Sequence, residues 1–174
     1  MKKDIIRDYA TAAFRFYALI GKSAEEYKAE IKANALEEIR KRENIVRTGD
    51  GGSPTEYELM YQEEKLQEKI SEIRDIEAVE KTLAEYRANG NRKSLDTLQL
   101  IKDVYFKNPK DEFEKNDISY RVEYTSSLLG IGSSTAYKYL KNARVLFAYN
   151  RGLRHDTKYL DKGVKKWCFW FTTK

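Results

Sequence analysis

The chain has 174 residues, 41% hydrophobic and 35% charged, which suits one domain, or one small domain with a helical extension, built from helices that each bury a single stripe. Lysine and arginine number 33 against 28 acids, for a net charge of +5, so the placement of charge matters more than its sum. The single cysteine, Cys168, excludes an intramolecular disulfide. No apolar run reaches the ~18 residues of a membrane span, and Asp4, Arg7 and Asp8 interrupt any leader-like core after Lys2 and Lys3. A cytoplasmic protein with no membrane contact is expected.

Residues 3–20 have helical periodicity, with Ile5, Ile6, Tyr9, Ala12, Ala13, Phe16, Tyr17 and Ile20 in a broad stripe. Gly21 ends that helix. Ser23 and Glu26 then have the spacing of a capping box, opening a helix to about residue 46 with Tyr27, Ile31, Ala35 and Ile39 on one face. Residues 47–55, Arg-Thr-Gly-Asp-Gly-Gly-Ser-Pro-Thr, read as a loop. Their glycine spacing fits neither a Walker A loop nor a dinucleotide fingerprint, and no strand precedes them.

A second capping box, Thr55 with Glu58, predicts one long helix to about residue 88. Leu59, Leu66, Ile73, Ile76 and Leu83 recur at coiled-coil-like steps, with Ile70, Val79 and Tyr86 beside them. Such a stripe fits either an antiparallel hairpin with the preceding helix or a homodimer through these N-terminal helices. Asn89-Gly90-Asn91 is a helix stop and the expected boundary between a helical N-terminal domain, residues 1–90, and a second domain, 91–174. Ser94 starts the next predicted helix, with Leu95, Leu98, Ile101, Val104 and Tyr105 inward, ending near Asn108-Pro109. Residues 110–117 are charged and loop-like.

Two further helices are predicted, at 121–129 and from 133 to about 149, joined by Gly130-Ile131-Gly132. This is the layout of a helix-turn-helix. Ile131 is the apolar plug expected beneath the turn, and Ser133, Ser134 and Thr135 can offer hydroxyls to the open N–H groups of the second helix. Ala136, Leu140 and Ala143 share one face of that helix; Ser134, Tyr137, Lys138, Lys141 and Arg144 take the other. The tail reads as a β-hairpin, strands at 153–160 and 164–172 around Asp161-Lys162-Gly163, with Trp167, Phe169 and Phe171 alternating onto one side. Its position suits a wing beside a DNA-reading helix, or an aromatic strand packed on the helices. The fold expected is therefore mainly α, with a short C-terminal β-hairpin.

Residues 133–174 are rich in Lys and Arg and carry only two acids, Asp156 and Asp161, whereas residues 56–85 are acidic. That asymmetry points to a polyanionic partner for the C-terminal end. His155 is the sole histidine and has no partner at metal-ligand spacing, so no metal or other cofactor is expected. No nucleophile elbow or kinase signature occurs, and the abundant acid pairs lie on helices charged throughout, so no enzyme is expected.

The stretch Leu-Leu-Gly-Ile-x-x-Ser-Thr-x-Tyr-x-x-Leu-x-x-Ala, from Leu128 to Ala143, resembles the helix-turn-helix of region 4 of bacterial sigma factors. Across residues 73–150 the chain is similar to phage and prophage late-gene transcriptional regulators of the ArpU/RinA type. In those a helix ending in Tyr-Phe, a variable loop and a C-terminal helix-turn-helix follow a helical N-terminal part. The matching pieces are Ile101-Lys-Asp-Val-Tyr-Phe106, the loop 107–116 and the motif itself. Gly132 departs from the usual Ser or Thr cap, and Ser126 from the usual Ala. The resemblance implies a sequence-specific DNA-binding transcription regulator, a late-gene activator or sigma-like factor, with RNA polymerase as a further partner.

Double-stranded DNA is thus the expected ligand. Ser133, Ser134, Thr135, Tyr137, Lys138 and Lys141 would face the major groove, and Arg144, Arg151 and Arg154 the phosphates. Two alternatives share the sequence features. A small terminase subunit for phage DNA packaging also combines a helix-turn-helix with oligomerising helices and a β tail, and a protein-binding helical hairpin would show no duplex preference.

Overall fold

The computed structural model describes residues 4–43, 55–110, 114 and 116–153. Every regular element among them is helical: α1 (Ile5–Ile20), α2 (Ala24–Glu43), α3 (Glu56–Glu68), α4 (Ile70–Asn89), α5 (Arg92–Ile101), α6 (Asp117–Leu129) and α7 (Ser133–Arg151). Lys102–Phe106 continue from α5 as a π-helical turn, closed by the Lys107 N–H donating to the Lys102 carbonyl at 3.1 Å. The fold is mainly α. The expected tail hairpin, with Arg154, His155 and Cys168, lies outside the described residues, as does the glycine-rich stretch 47–54.

Local signals set most helix ends. The Ser23 N–H donates to Glu26 Oε2 at 2.7 Å and the Glu26 N–H to Ser23 Oγ at 3.2 Å, so the first capping box forms. The Thr55–Glu58 box forms as well. Gly21 closes α1 in the left-handed region at φ 61°, a conformation glycine adopts without a Cβ clash. Asn91, not Ser94, caps α5, its Oδ1 accepting from the Ser94 N–H at 2.8 Å.

The single long helix expected over 55–88 is two. Lys69 leaves helical geometry at φ −101°, ψ 6°, its N–H tightening onto Leu66. No glycine or proline marks that break in the sequence.

The chain divides into two compact units, Lys22–Glu77 and Met1–Gly21 with Ala78–Lys174. The expected boundary at Asn89-Gly90-Asn91 is a helix end within the second of these. Residues 22–77 form an antiparallel arrangement: Tyr61 donates to Glu38 at 2.7 Å, while Tyr27 reaches Glu72 and Lys28 pairs with Glu77 at 2.8 Å. As one strand of the hairpin rises in number the other falls, so the intramolecular hairpin is the form seen. Ala35, Ile39 and Tyr61 make its small core. Leu59, expected in the stripe, is instead 53% exposed, and Glu58, Tyr61 and Gln62 turn inward.

The other unit has the larger core. Phe14, Tyr105, Phe147, Leu140, Ile101, Val104 and Val122 are all fully buried. Phe14 stacks on Tyr105 with ring centroids 5.4 Å apart and meets Phe147 at 5.5 Å. Thus α1 packs on α7 and on the π turn through Ala10, Ala13 and Phe14. The stripe predicted for α1 is rotated from this: Ala12 is exposed, Ile5 is 75% exposed, and Phe14 is the residue that goes in. Leu95 likewise faces out at 52% exposure, while Leu98, Ile101, Val104 and Tyr105 are inside as expected. Asn150 donates to Thr82 at 3.1 Å, tying the end of α7 to α4.

Candidate nucleic-acid interface

The corner between α6 and α7 is built by local hydrogen bonds. Gly130 sits at φ 66°, ψ 29°, and the Ile131 N–H donates back to the Ser126 carbonyl at 3.0 Å, while Gly130 donates to Ser127 at 3.2 Å. This is the Schellman closure of α6, and it requires a left-handed residue where glycine stands. Ile131 follows at once and packs against the core, the plug expected from its position between two glycines. Gly132, extended at φ −69°, ψ 145°, then opens α7. Its carbonyl accepts from Ala136 at 3.0 Å.

The hydroxyls expected to cap α7 do not. The N-cap is Gly132, with no side-chain cap bond, and Ser133 and Ser134 stand exposed as the first two residues of the helix. The Thr135 N–H donates to the Gly132 carbonyl at 2.9 Å, so the Ser133 and Ser134 N–H groups are the open donors at the end of the helix that favours negative charge.

One face of α7 is sealed. Ala136, Leu140, Ala143 and Phe147 are each 0% exposed. The small side chains at 136 and 143 let α7 lie close on α5 and α6. The opposite face carries Ser134, Tyr137, Lys138 and Lys141, all exposed, with Tyr137 at 38%. Thr135 is half-buried. Arg144 is half-buried too and donates to the Tyr105 hydroxyl at 3.3 Å, so its guanidinium is partly engaged in the fold. Arg151, in the last turn of α7, is half-buried, and Arg154 lies outside the described residues.

Residues 124–153 contain no aspartate or glutamate. A helix with four cations and no acid of its own carries a net positive charge along its length. Helix α6 adds a feature the periodicity did not single out. Tyr120, Tyr124 and Leu128 form an exposed row at four-residue spacing, 70%, 53% and 67% exposed, with the two tyrosine rings stacked at 6.5 Å. Their i, i+4, i+8 spacing was the available signal. The resemblance motif counts Leu128 among its apolar residues, but the buried apolar contact at this end of α6 comes from Leu129.

No group of three His, Cys, Asp or Glu is arranged to hold a metal ion among the described residues. No helix among them is long and apolar enough to cross a membrane. No family model, curated protein or solved structure matches the chain.

Proposed function

We propose that the chain is a sequence-specific DNA-binding transcription regulator of the phage or prophage late-gene kind. The observation that carries this reading is α7 itself: a helix whose apolar face is wholly buried, whose outer face presents Lys138 and Lys141 with Ser134 and Tyr137, and which has no acidic residue. A cationic helix standing beyond a tight bihelical corner matches the demands of the major groove, with lysines on phosphates and residues near the helix start on base edges. Ser133, Ser134 and Tyr137 are the base readers in this scheme. Arg151 holds a phosphate, and Arg144 does so only by sharing its guanidinium with Tyr105. The sigma-like resemblance of residues 128–143 supports RNA polymerase as a second partner, and the N-terminal helices remain candidates for a homodimer contact.

The test is selection of duplexes from a random pool by the purified chain, followed by mobility-shift titration of the enriched sequence. A consensus should emerge. Lys138→Ala with Lys141→Ala should then weaken binding about tenfold or more. It should also make the dependence of log affinity on log salt shallower by about 2, since each phosphate contact contributes roughly 0.9 to that slope. A pool that yields no consensus, or a double variant that binds as the parent does, would overturn the reading.

A further inference from the structure

We infer that the interface extends past α7 to Arg92 and Lys93 at the start of α5, which hold the phosphate backbone of the same duplex; this rests on the DNA-binding reading above. The placement comes from one contact. The Lys93 ammonium lies over the Tyr139 ring, 5.5 Å from its centroid. Tyr139 follows Lys138 by one helical step of about 100° and lies on the flank between the exposed face of α7 and its buried face. Lys93 therefore stands beside the row formed by Lys138 and Lys141, on the side away from Arg144.

Three further observations make this a basic extension and not an incidental pair. Arg92 and Lys93 are both exposed, and among the described residues neither forms an ion pair. The first turn of α5 contains no acid, and neither does α7; Asp96, one turn further along α5, is the acid of that helix, so the two cations outnumber it at this end. The backbone beneath them is fixed: Asn91 caps the helix through the Ser94 N–H, and Ser94, Thr97 and Leu98 are buried. The two cations are carried on a rigid helix end and not on a loop. An exposed cation–π contact is weak, and all three N–H donors of Lys93 remain available to an acceptor. Backbone phosphate is the ligand that fits: it is anionic, repeats along a duplex beside whatever α7 reads, and asks nothing of sequence.

The experiment compares Arg92→Ala with Lys93→Ala, together, against the parent on the selected duplex and on a scrambled one. Affinity should fall about tenfold on both duplexes alike, and the salt slope should become shallower by about 2. Arg92→Ala alone, which leaves the Lys93–Tyr139 contact in place, should still lower the slope by about 1. The charge-keeping pair Arg92→Lys and Lys93→Arg should bind as the parent does. If Arg92→Ala with Lys93→Ala leaves affinity and slope unchanged while Lys138→Ala with Lys141→Ala weakens binding about tenfold or more, the extension is wrong and the DNA-binding reading stands. If the charge-keeping pair binds as poorly as the alanine pair, local packing and not phosphate contact is responsible, which also overturns the inference. A parent chain with no duplex preference over heparin removes both.

Discussion

Residues 22–77 and helix α7 are both heavily charged, yet they use charge in opposite ways. In the first, cations meet acids at short range: Lys22 with Glu30, Lys28 with Glu25 and Glu77, Lys41 with Glu37, Lys65 with Glu68 and Lys69 with Glu72, at 2.7–2.9 Å. In the second, Lys138 has no acid on its own helix to meet. Charges paired within a surface contribute little to stability and little to the outer field. Cations on a helix that has no acid of its own give that helix a net positive field. Composition alone, a net charge of +5, hides this division.

The largest effect is expected in the core beneath α7. Phe147 is fully buried and meets the Phe14 ring at 5.5 Å. Phe147→Ala should cost about 3–5 kcal/mol by lost burial and the cavity left behind. Urea unfolding monitored by circular dichroism would measure it. A loss below about 1 kcal/mol would mean that α1 does not hold α7 in place. The Lys138→Ala and Lys141→Ala variant provides the contrast. It removes charge from an exposed face and should change duplex affinity while leaving the unfolding midpoint where it is.

Next in size is the corner. Gly130 has φ 66°, and a Cβ added there would meet nothing within 4 Å. Any cost of Gly130→Ala is therefore conformational and not steric, about 1 kcal/mol. Gly130→Asn should lose less, because asparagine tolerates the left-handed region better than alanine. Equal losses for the two would show that the corner is not held by that dihedral.

These positions also show what the sequence could and could not reveal. Both capping boxes and the glycine stops at 21 and 130 were legible, because each is a short-range signal with its own hydrogen bonds; the start of α7 at Ser133 was legible from the Gly-Ile-Gly turn, although the hydroxyls after it do not cap the helix. The exposed row Ser134, Tyr137, Lys138 and Lys141 was legible from helical period alone. The division of the chain was not. It depends on α1 packing against α7, a contact between residues far apart in sequence that no local pattern encodes. The break at Lys69 and the π turn at Lys102–Phe106 carry no glycine or proline and so left no mark. Arg144 was assigned to the outer face by period, but only the fold shows Tyr105 close enough to take one of its N–H groups.

The smallest effects belong to the paired charges of residues 22–77, and pH separates them. Lys28 is raised above its ordinary value by its hydrogen bonds to Glu77 and then Glu25. A lysine raised in the folded state stabilises fully below its unfolded value near 10.5, and that contribution is lost as pH climbs through the folded value. Burial pushes Glu72 up, but hydrogen bonds from Lys69 and Tyr27 more than offset this and leave it lowered. Its contribution is present above the ordinary value near 4.5 and is lost as pH falls through the folded value. Tyr27, raised to about 12 by burial and by Glu72, keeps its proton to donate across that whole range. Lys28→Ala should therefore cost only a few tenths of a kcal/mol at neutral pH after solvent screening, and that cost should fade as pH climbs through the folded value. Glu72→Gln should cost most at neutral pH and converge with the parent in acid. Amide hydrogen exchange along α2 reads both losses locally in the full chain. A penalty for Glu72→Gln that persists unchanged into strong acid would mean that packing, and not the carboxylate, holds Tyr27 in place.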